Sequence, residues 1–150
     1  MSGKAWLPPR WVIRLAWKIH RTIYRVSSGR MGLSLPKPQG WGTLRLTTIG
    51  RRTGKQHSVM VGYYIDGPNY VTMAMNGWGA PEPAWWLNLK ANPQATAELA
   101  DGKHLVTARA AAGDERERLW DRWRHIDRNL DEYAARRPKQ TAVVVLEPRT

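Results

Sequence analysis

A chain of 150 residues with a formal net charge of +12 is one domain's worth of protein, long enough to bury a core to which nearly every element must contribute. It has no cysteine, which excludes a disulfide framework, a thiolate nucleophile and thiolate metal ligands, and leaves the cytosol as the default compartment. Nine Trp and no Phe hand core filling, stacking or interface positions to large flat side chains with one N–H each.

The charge is segregated. Residues 1–57 hold twelve Lys and Arg and no Asp or Glu, whereas residues 58–150 hold twelve of each sign. A one-sided basic region implies an anionic partner, which can be nucleic acid, an anionic membrane surface or a small polyanionic ligand such as a phosphorylated cofactor.

Residues Trp11 to Val26 read as a helix, within a basic amphipathic segment covering residues 1–30. Arg10, Arg14, Lys18, Arg21 and Arg25 fall on one narrow stripe, and Trp11, Leu15, Ile19 and Ile23 form an apolar line with further apolar residues beside it. Such a helix is buried on most sides by protein or lies in a lipid interface. Packing on the protein's own barrel and contact with an anionic membrane both stay open. The basic stripe interrupts any run long enough to span a membrane or to form a signal-peptide core.

Ser27 to Gly42, rich in Gly, Pro and Ser, reads as a linker. Thr43 to Ile49 and Val59 to Ile65 then alternate at strand period around Gly50-Arg51-Arg52-Thr53-Gly54-Lys55, so this stretch is a hairpin loop. Two glycines able to take positive φ, with Arg51, Arg52, Lys55 and the Thr53 hydroxyl, make an anion cradle; a solvated basic turn is the plainer reading. The spacing is not that of a Walker loop. Asp66 to Asn69 supplies a second turn and Tyr70 to Met75 a third strand, an antiparallel meander.

Asn76-Gly77-Trp78-Gly79-Ala80-Pro81-Glu82-Pro83 is too rich in Gly and Pro for regular structure. Ala84 to Lys90 reads as a short helix clamped onto the sheet by Trp85, Trp86 and Leu89. Ala95 to Leu99 and His104 to Ala110, joined at Asp101-Gly102, form another hairpin. Asp114 and Glu117 resemble a capping box opening one amphipathic helix that carries Leu119, Trp123, Ile126, Leu130 and Tyr133. Ala142 to Leu146 closes the chain as a buried strand.

His20, His57, His104 and His125 have no metal-ligand spacing, so no metal site is expected. No serine sits in a nucleophile elbow, and Gly77-Trp78-Gly79 lacks the context of a dinucleotide fingerprint. Where side chains offer no chemistry, a cofactor carries it.

Leu46-Thr47-Thr48-Ile49-Gly50-Arg51-Arg52-Thr53-Gly54-Lys55 resembles the signature of the deazaflavin-dependent nitroreductase and quinone reductase family, whose members use reduced coenzyme F-420, an 8-hydroxy-5-deazaflavin. Trp85 to Pro93 and Val143 to Pro148 agree with it in the same order. The resemblance implies an α+β, mainly β fold over residues 1–150 as a single domain. This would be a split β-barrel with an N-terminal helix and a long helix before the last strand, commonly a homodimer. It implies an oxidoreductase passing a hydride from reduced F-420 to a quinone-like, nitro or other conjugated acceptor. By the same resemblance, Arg51, Arg52, Thr53, Gly54 and Lys55 contact the coenzyme's phosphate and acidic tail. Met75, Asn76 and Gly77 line its ring, Trp85 and Tyr133 face the substrate, and the Tyr133 hydroxyl or solvent delivers the proton. His57, counted with the cofactor residues, stands where Arg is usual, Asn76 where the best-known members have Lys, and Met60 where Pro is frequent. The alternatives are an FMN-using split-barrel reductase and a non-catalytic basic protein binding membrane or nucleic acid. The clustering of Lys and Arg on one helix and one loop speaks against nucleic acid. The expected location is cytoplasmic, and peripheral on the inner face of the cell membrane if the N-terminal helix contacts lipid rather than the barrel.

Overall fold

Period-two alternation builds the first strand, β1 (Gly42–Ile49), whose residues are buried and half-buried in strict turn. The computed structural model describes residues 10–15, 33–36 and 40–149. Most of the expected N-terminal helix, residues 16–26, and most of the linker lie outside them; residues 10–15 are helical and are called α1. β1 pairs with β2 (Gln56–Asp66) from Gly42 opposite Tyr63 to Ile49 opposite Gln56. Asp66 opposite Asn69 closes a two-residue turn into β3 (Asn69–Met73), with Gly67 at φ +58. β4 (Gln94–Leu99) and β5 (Gly102–Ala110) form the next hairpin.

The last strand, β6 (Val143–Pro148), enters between β3 and β5, and β1 pairs with β4. The six antiparallel strands therefore close in the order β1-β2-β3-β6-β5-β4. The meander ends at β3, and closure leaves no long unpaired edge. Leu44, Leu46, Val61, Tyr63, Ala97, Val106, Val144 and Leu146 fill one core cluster, joined by Trp86 and Leu89 from α2 (Ala84–Ala91). Tyr64, Val71, Met73, Val143 and Val145 form a second cluster with Leu119, Trp123 and Leu130. With neighbours of β6 in both clusters, its Val143 to Leu146 run is fully buried, which is why its sequence does not alternate.

The single long helix expected before the last strand is two, α3 (Gly113–Ile126) and α4 (Leu130–Ala135). Asp127 leaves helical geometry at φ −125 and ψ 104. Its Oδ1 accepts the Asn129 N–H at 3.0 Å, an Asx turn, and its carbonyl accepts the Leu130 N–H at 3.1 Å. Helical spacing runs on through the break because α4 turns back onto the same cluster. The capping box does not form either: α3 opens at Gly113, φ +58, with no side-chain cap. The neighbouring Glu115 is held by Arg109, which also holds Glu147 at 3.0 Å. Among the described residues no helix is long and apolar enough to cross a membrane.

Candidate cofactor and substrate cavity

The basic loop is closed by its own backbone, the Gly50 N–H donating to Lys55 O at 2.7 Å and the Gly54 N–H to Gly50 O at 2.9 Å. Only Gly54 takes positive φ, +72. Gly50 is required for space, because a Cβ there would lie 2.9 Å from the His57 ring. The expectation of two left-handed glycines is thus corrected to one of each kind. The Lys55 N–H donates to Thr53 Oγ1 at 3.3 Å. Of the loop's N–H groups, those of Arg52 and Thr53 meet no acceptor among the described residues.

Asn88 ties this loop down. Its Oδ1 accepts from the Arg51 backbone N–H at 3.2 Å and from Arg51 Nη1 at 3.0 Å, while its Nδ2 donates to Thr48 Oγ1 at 3.2 Å. Asn88 and Thr48 are both buried, so one amide couples α2, β1 and the loop in a setting where an unmade hydrogen bond is costly. Sequence reasoning gave Asn88 no role. The available signal was a short polar side chain inside the apolar run Trp85 to Leu89.

After β3 the chain makes a turn with three successive left-handed residues, Asn76 (φ 48), Gly77 (φ 59) and Trp78 (φ 62). Such backbone costs about 1–2 kcal/mol for each residue bearing a Cβ, and persists only where its surroundings over-determine it. The Trp78 N–H donates to Met75 O at 2.7 Å, the Gly79 N–H to Asn76 O at 3.0 Å, and Asn76 Nδ2 to Pro81 O at 2.8 Å. Behind them lies Arg137, another residue with no role in the sequence reading. Its Nε donates to Gly79 O at 3.0 Å, Nη1 to Ala74 O at 2.8 Å and Thr141 Oγ1 at 2.7 Å, and Nη2 to Pro81 O at 3.2 Å. Burial pushes the Arg137 pKa down, and the charge is held by these oxygen acceptors.

The β2–β3 hairpin leads from the loop to this turn, and between loop and turn lies a cavity of about 1030 Å³. Its apolar lining includes Val59, Met60, Val61, Met73 and Met75, and further walls come from α2, including Trp85, and from α1. Arg51, Arg52, Thr53, His57, Met75, Asn76, Gly77 and Trp85, all singled out in the sequence, line it. Gly54 and Lys55 belong to the same loop but do not line the cavity. Tyr133 does not line it either. Its ring stacks on Trp78 with centroids 6.0 Å apart and planes at 29°, and Arg136 lies over it at 5.3 Å. Two of the lining hydroxyls are engaged within the protein: Ser58 Oγ lies 2.8 Å from Thr47 Oγ1, and Thr72 Oγ1 donates to the Gly62 carbonyl at 2.7 Å. Among the described residues no group of three or more His, Asp or Glu side chains converges to hold a metal.

Apolar surface for a flat ring, with arginines beside it that have no carboxylate partner among the described residues, fits a coenzyme made of a deazaflavin ring and an acidic tail. Barrel and cavity together define the class, a split-barrel oxidoreductase that works through a bound redox coenzyme. Residues 16–148 match the family described as F-420H(2)-dependent quinone reductase, and the chain belongs to that family. The F-420H(2)-dependent quinone reductase of Mycobacterium tuberculosis (strain H37Rv) is 30% identical over 152 residues, covering 99% of this chain and 100% of the relative. Among solved structures, the F-420-H2 Dependent Reductase FDR-A aligns with a TM-score of 0.64 at 26% identity, over 77% of this chain and 100% of its own. A structure described as a domain-swapped dimer aligns with a TM-score of 0.66 at 26% identity, over 89% of this chain and 99% of its own. The protein is therefore an oxidoreductase using reduced coenzyme F-420 as donor and a quinone-type acceptor.

Proposed function

We propose that reduced F-420 and a quinone meet in the cavity between the Gly50–Lys55 loop, the Met75–Gly77 turn and helices α1 and α2, within a single catalytic domain spanning residues 1–150. The observation carrying this reading is convergence: residues from separate stretches, Arg51 to Thr53, His57, Met75 to Gly77 and Trp85, line one cavity. Arg51 and Arg52, with the Arg52 and Thr53 N–H groups, hold the phosphate and acidic tail, and Gly54 and Lys55 shape the loop and add positive field. Met75, Asn76 and Gly77 lie against the ring, and Trp85 presents an aromatic wall to the acceptor.

The bound coenzyme supplies the hydride. The quinone takes up that hydride, an electron pair with its proton, and one further proton, and becomes the quinol. With the lining Ser58 and Thr72 hydroxyls engaged and Tyr133 outside the lining, the further proton comes from solvent. Tyr133 acts as a support for Trp78 and the turn, not as an acid. The protein's contribution is placement and exclusion of water.

Trp11 and Leu15 on α1 are 67% and 49% exposed and also line the cavity. This supports entry of a lipid-soluble quinone from an anionic membrane face on which the protein sits peripherally in the cytoplasm. A homodimer is supported by the solved relative described as a dimer. Nitro and enone compounds are tested beside quinones: oxidation of reduced F-420 is followed with menadione, a nitroaromatic and a cyclic enone. Menadione should be reduced, and Arg52→Met should weaken F-420 binding about tenfold or more. A cavity variant such as Arg52→Met that binds and turns over like the wild type would place the site elsewhere.

A further inference from the structure

The turn that carries Asn76 has no cation of its own, yet a cation sits on it. Arg10 of α1 donates from Nη1 to the Asn76 carbonyl at 2.7 Å and from Nη2 to Asn76 Oδ1 at 3.0 Å. It lines the cavity, as does Arg14 one turn further on. Among the described residues no carboxylate lies within ion-pair range of Arg10, so its charge is not neutralised by these neighbours. Two of its five N–H groups hold Asn76, and the others meet no acceptor among the described residues.

Room for this arginine is built into the turn. Gly79 has φ −73 and ψ 159, extended backbone that any residue adopts, so conformation does not call for glycine there. A Cβ at Gly79 would run into the Arg10 guanidinium, and a Cβ at Gly77 would press on Ile13 Cγ2 at 3.1 Å. Gly77-Trp78-Gly79 is the seat of α1, which gives a reason for a pattern that the sequence shows only as an irregular stretch.

We propose that Arg10 is a coenzyme-binding residue, supplying at the Met75–Gly77 turn the positive charge that Asn76 does not. The anionic coenzyme is then held by two separate cationic groups, Arg51 and Arg52 on the loop and Arg10 on α1. This rests on the reading of the cavity as the F-420 site. A guanidinium already fixed by two hydrogen bonds has met its ordering cost before the ligand arrives, and in a half-buried place its charge is weakly screened.

The test is a fluorescence titration of oxidised F-420 at fixed ionic strength, with a thermal melt of each protein. The set is wild type, Arg10→Met, Gly79→Ala, Arg52→Met and the double variant Arg10→Met/Asn76→Lys. Arg10→Met should weaken binding by about tenfold or more. Gly79→Ala, which keeps the charge but crowds it off its seat, should weaken binding in the same direction. Asn76→Lys should recover most of the affinity lost in Arg10→Met, and Arg10→Met itself should melt at the wild-type temperature. Arg10→Met binding within about twofold of wild type, while Arg52→Met is weakened, would overturn the inference and leave the cavity reading standing. If neither substitution changes binding, both are overturned. Weakened Arg10→Met binding that Asn76→Lys does not recover, accompanied by a lower melting temperature, would also overturn the inference, since Arg10 would then be only a latch for α1.

Discussion

Asn88 and Arg137 each tie one irregular wall of the cavity to the rest of the fold through a single side chain. Asn88 gives the Gly50–Lys55 loop a buried anchor through Arg51 and Thr48. Asn88→Ala removes that anchor, and we expect a loss of about 1–3 kcal/mol of stability in urea denaturation together with weaker F-420 binding. Asn88→Asp keeps an acceptor for Arg51 but has no N–H for Thr48, so it should recover part of the affinity while remaining less stable than wild type. Arg137 holds the carbonyls of Ala74, Gly79 and Pro81. Arg137→Lys should not rescue Arg137→Met, because a compact ammonium cannot reproduce a fork reaching acceptors on several sides. Both variants should raise KM for reduced F-420 in steady-state assays, and an unchanged KM would separate the turn from coenzyme binding.

At the scale of elements, α3 and α4 are fastened to the barrel by apolar contacts and by ion pairs at their rim. The Tyr64 hydroxyl donates to Leu119 O at 2.8 Å, and Trp123 packs on Tyr64 with ring centroids 5.3 Å apart. Arg118 grips Asp66 with two bonds of 2.8 and 3.0 Å, and this contact holds the Asp66 carboxyl below its ordinary value. Arg109 does the same to Glu115, and Arg124, with Trp120, to Asp131. A carboxylate whose folded pKa lies below its unfolded pKa contributes its stability above the unfolded value and loses it as pH falls through the folded value. The melting temperature should therefore fall below about pH 4. The gap between wild type and Asp66→Asn should be widest above that range and close on acidification. A gap that is constant with pH would mean that the Arg118 pair contributes nothing to docking α3.

At the scale of the whole molecule, closure of the barrel waits on its last strand, because β6 pairs with both β3 and β5. A chain ending at Thr141 would leave both strands with open edges. It should be aggregation-prone on expression, which size-exclusion chromatography would show. A chain beginning at Leu33 keeps every strand and lacks α1. We expect it to melt like the full chain, to bind F-420 more weakly for want of Arg10, and to co-sediment less with anionic vesicles. Vesicle binding equal to that of the full chain and insensitive to salt would assign α1 to packing alone.

The sequence by itself determined the strands and the chemistry of the basic loop. Alternation in Thr43 to Ile49, the Asp-Gly turn and the buried Val run are local patterns, and a strand's period is written in its neighbours. Resemblance, resting on three ordered blocks, supplied the coenzyme and the residues around it. Tertiary structure alone decided what depends on partners distant in the chain. Leu130 and Tyr133 keep helical spacing across a break that Asp127 makes with its own side chain, so periodicity could not show that one helix is two. Asn88 and Arg137 hold the site through groups 37 to 63 residues away. Tyr133 came to rest against Trp78 because α4 folds onto the second core cluster. Composition placed a positive charge in the first part of the chain; only the fold brought Arg10 onto Asn76, since a guanidinium finds its acceptors in space and not along the sequence.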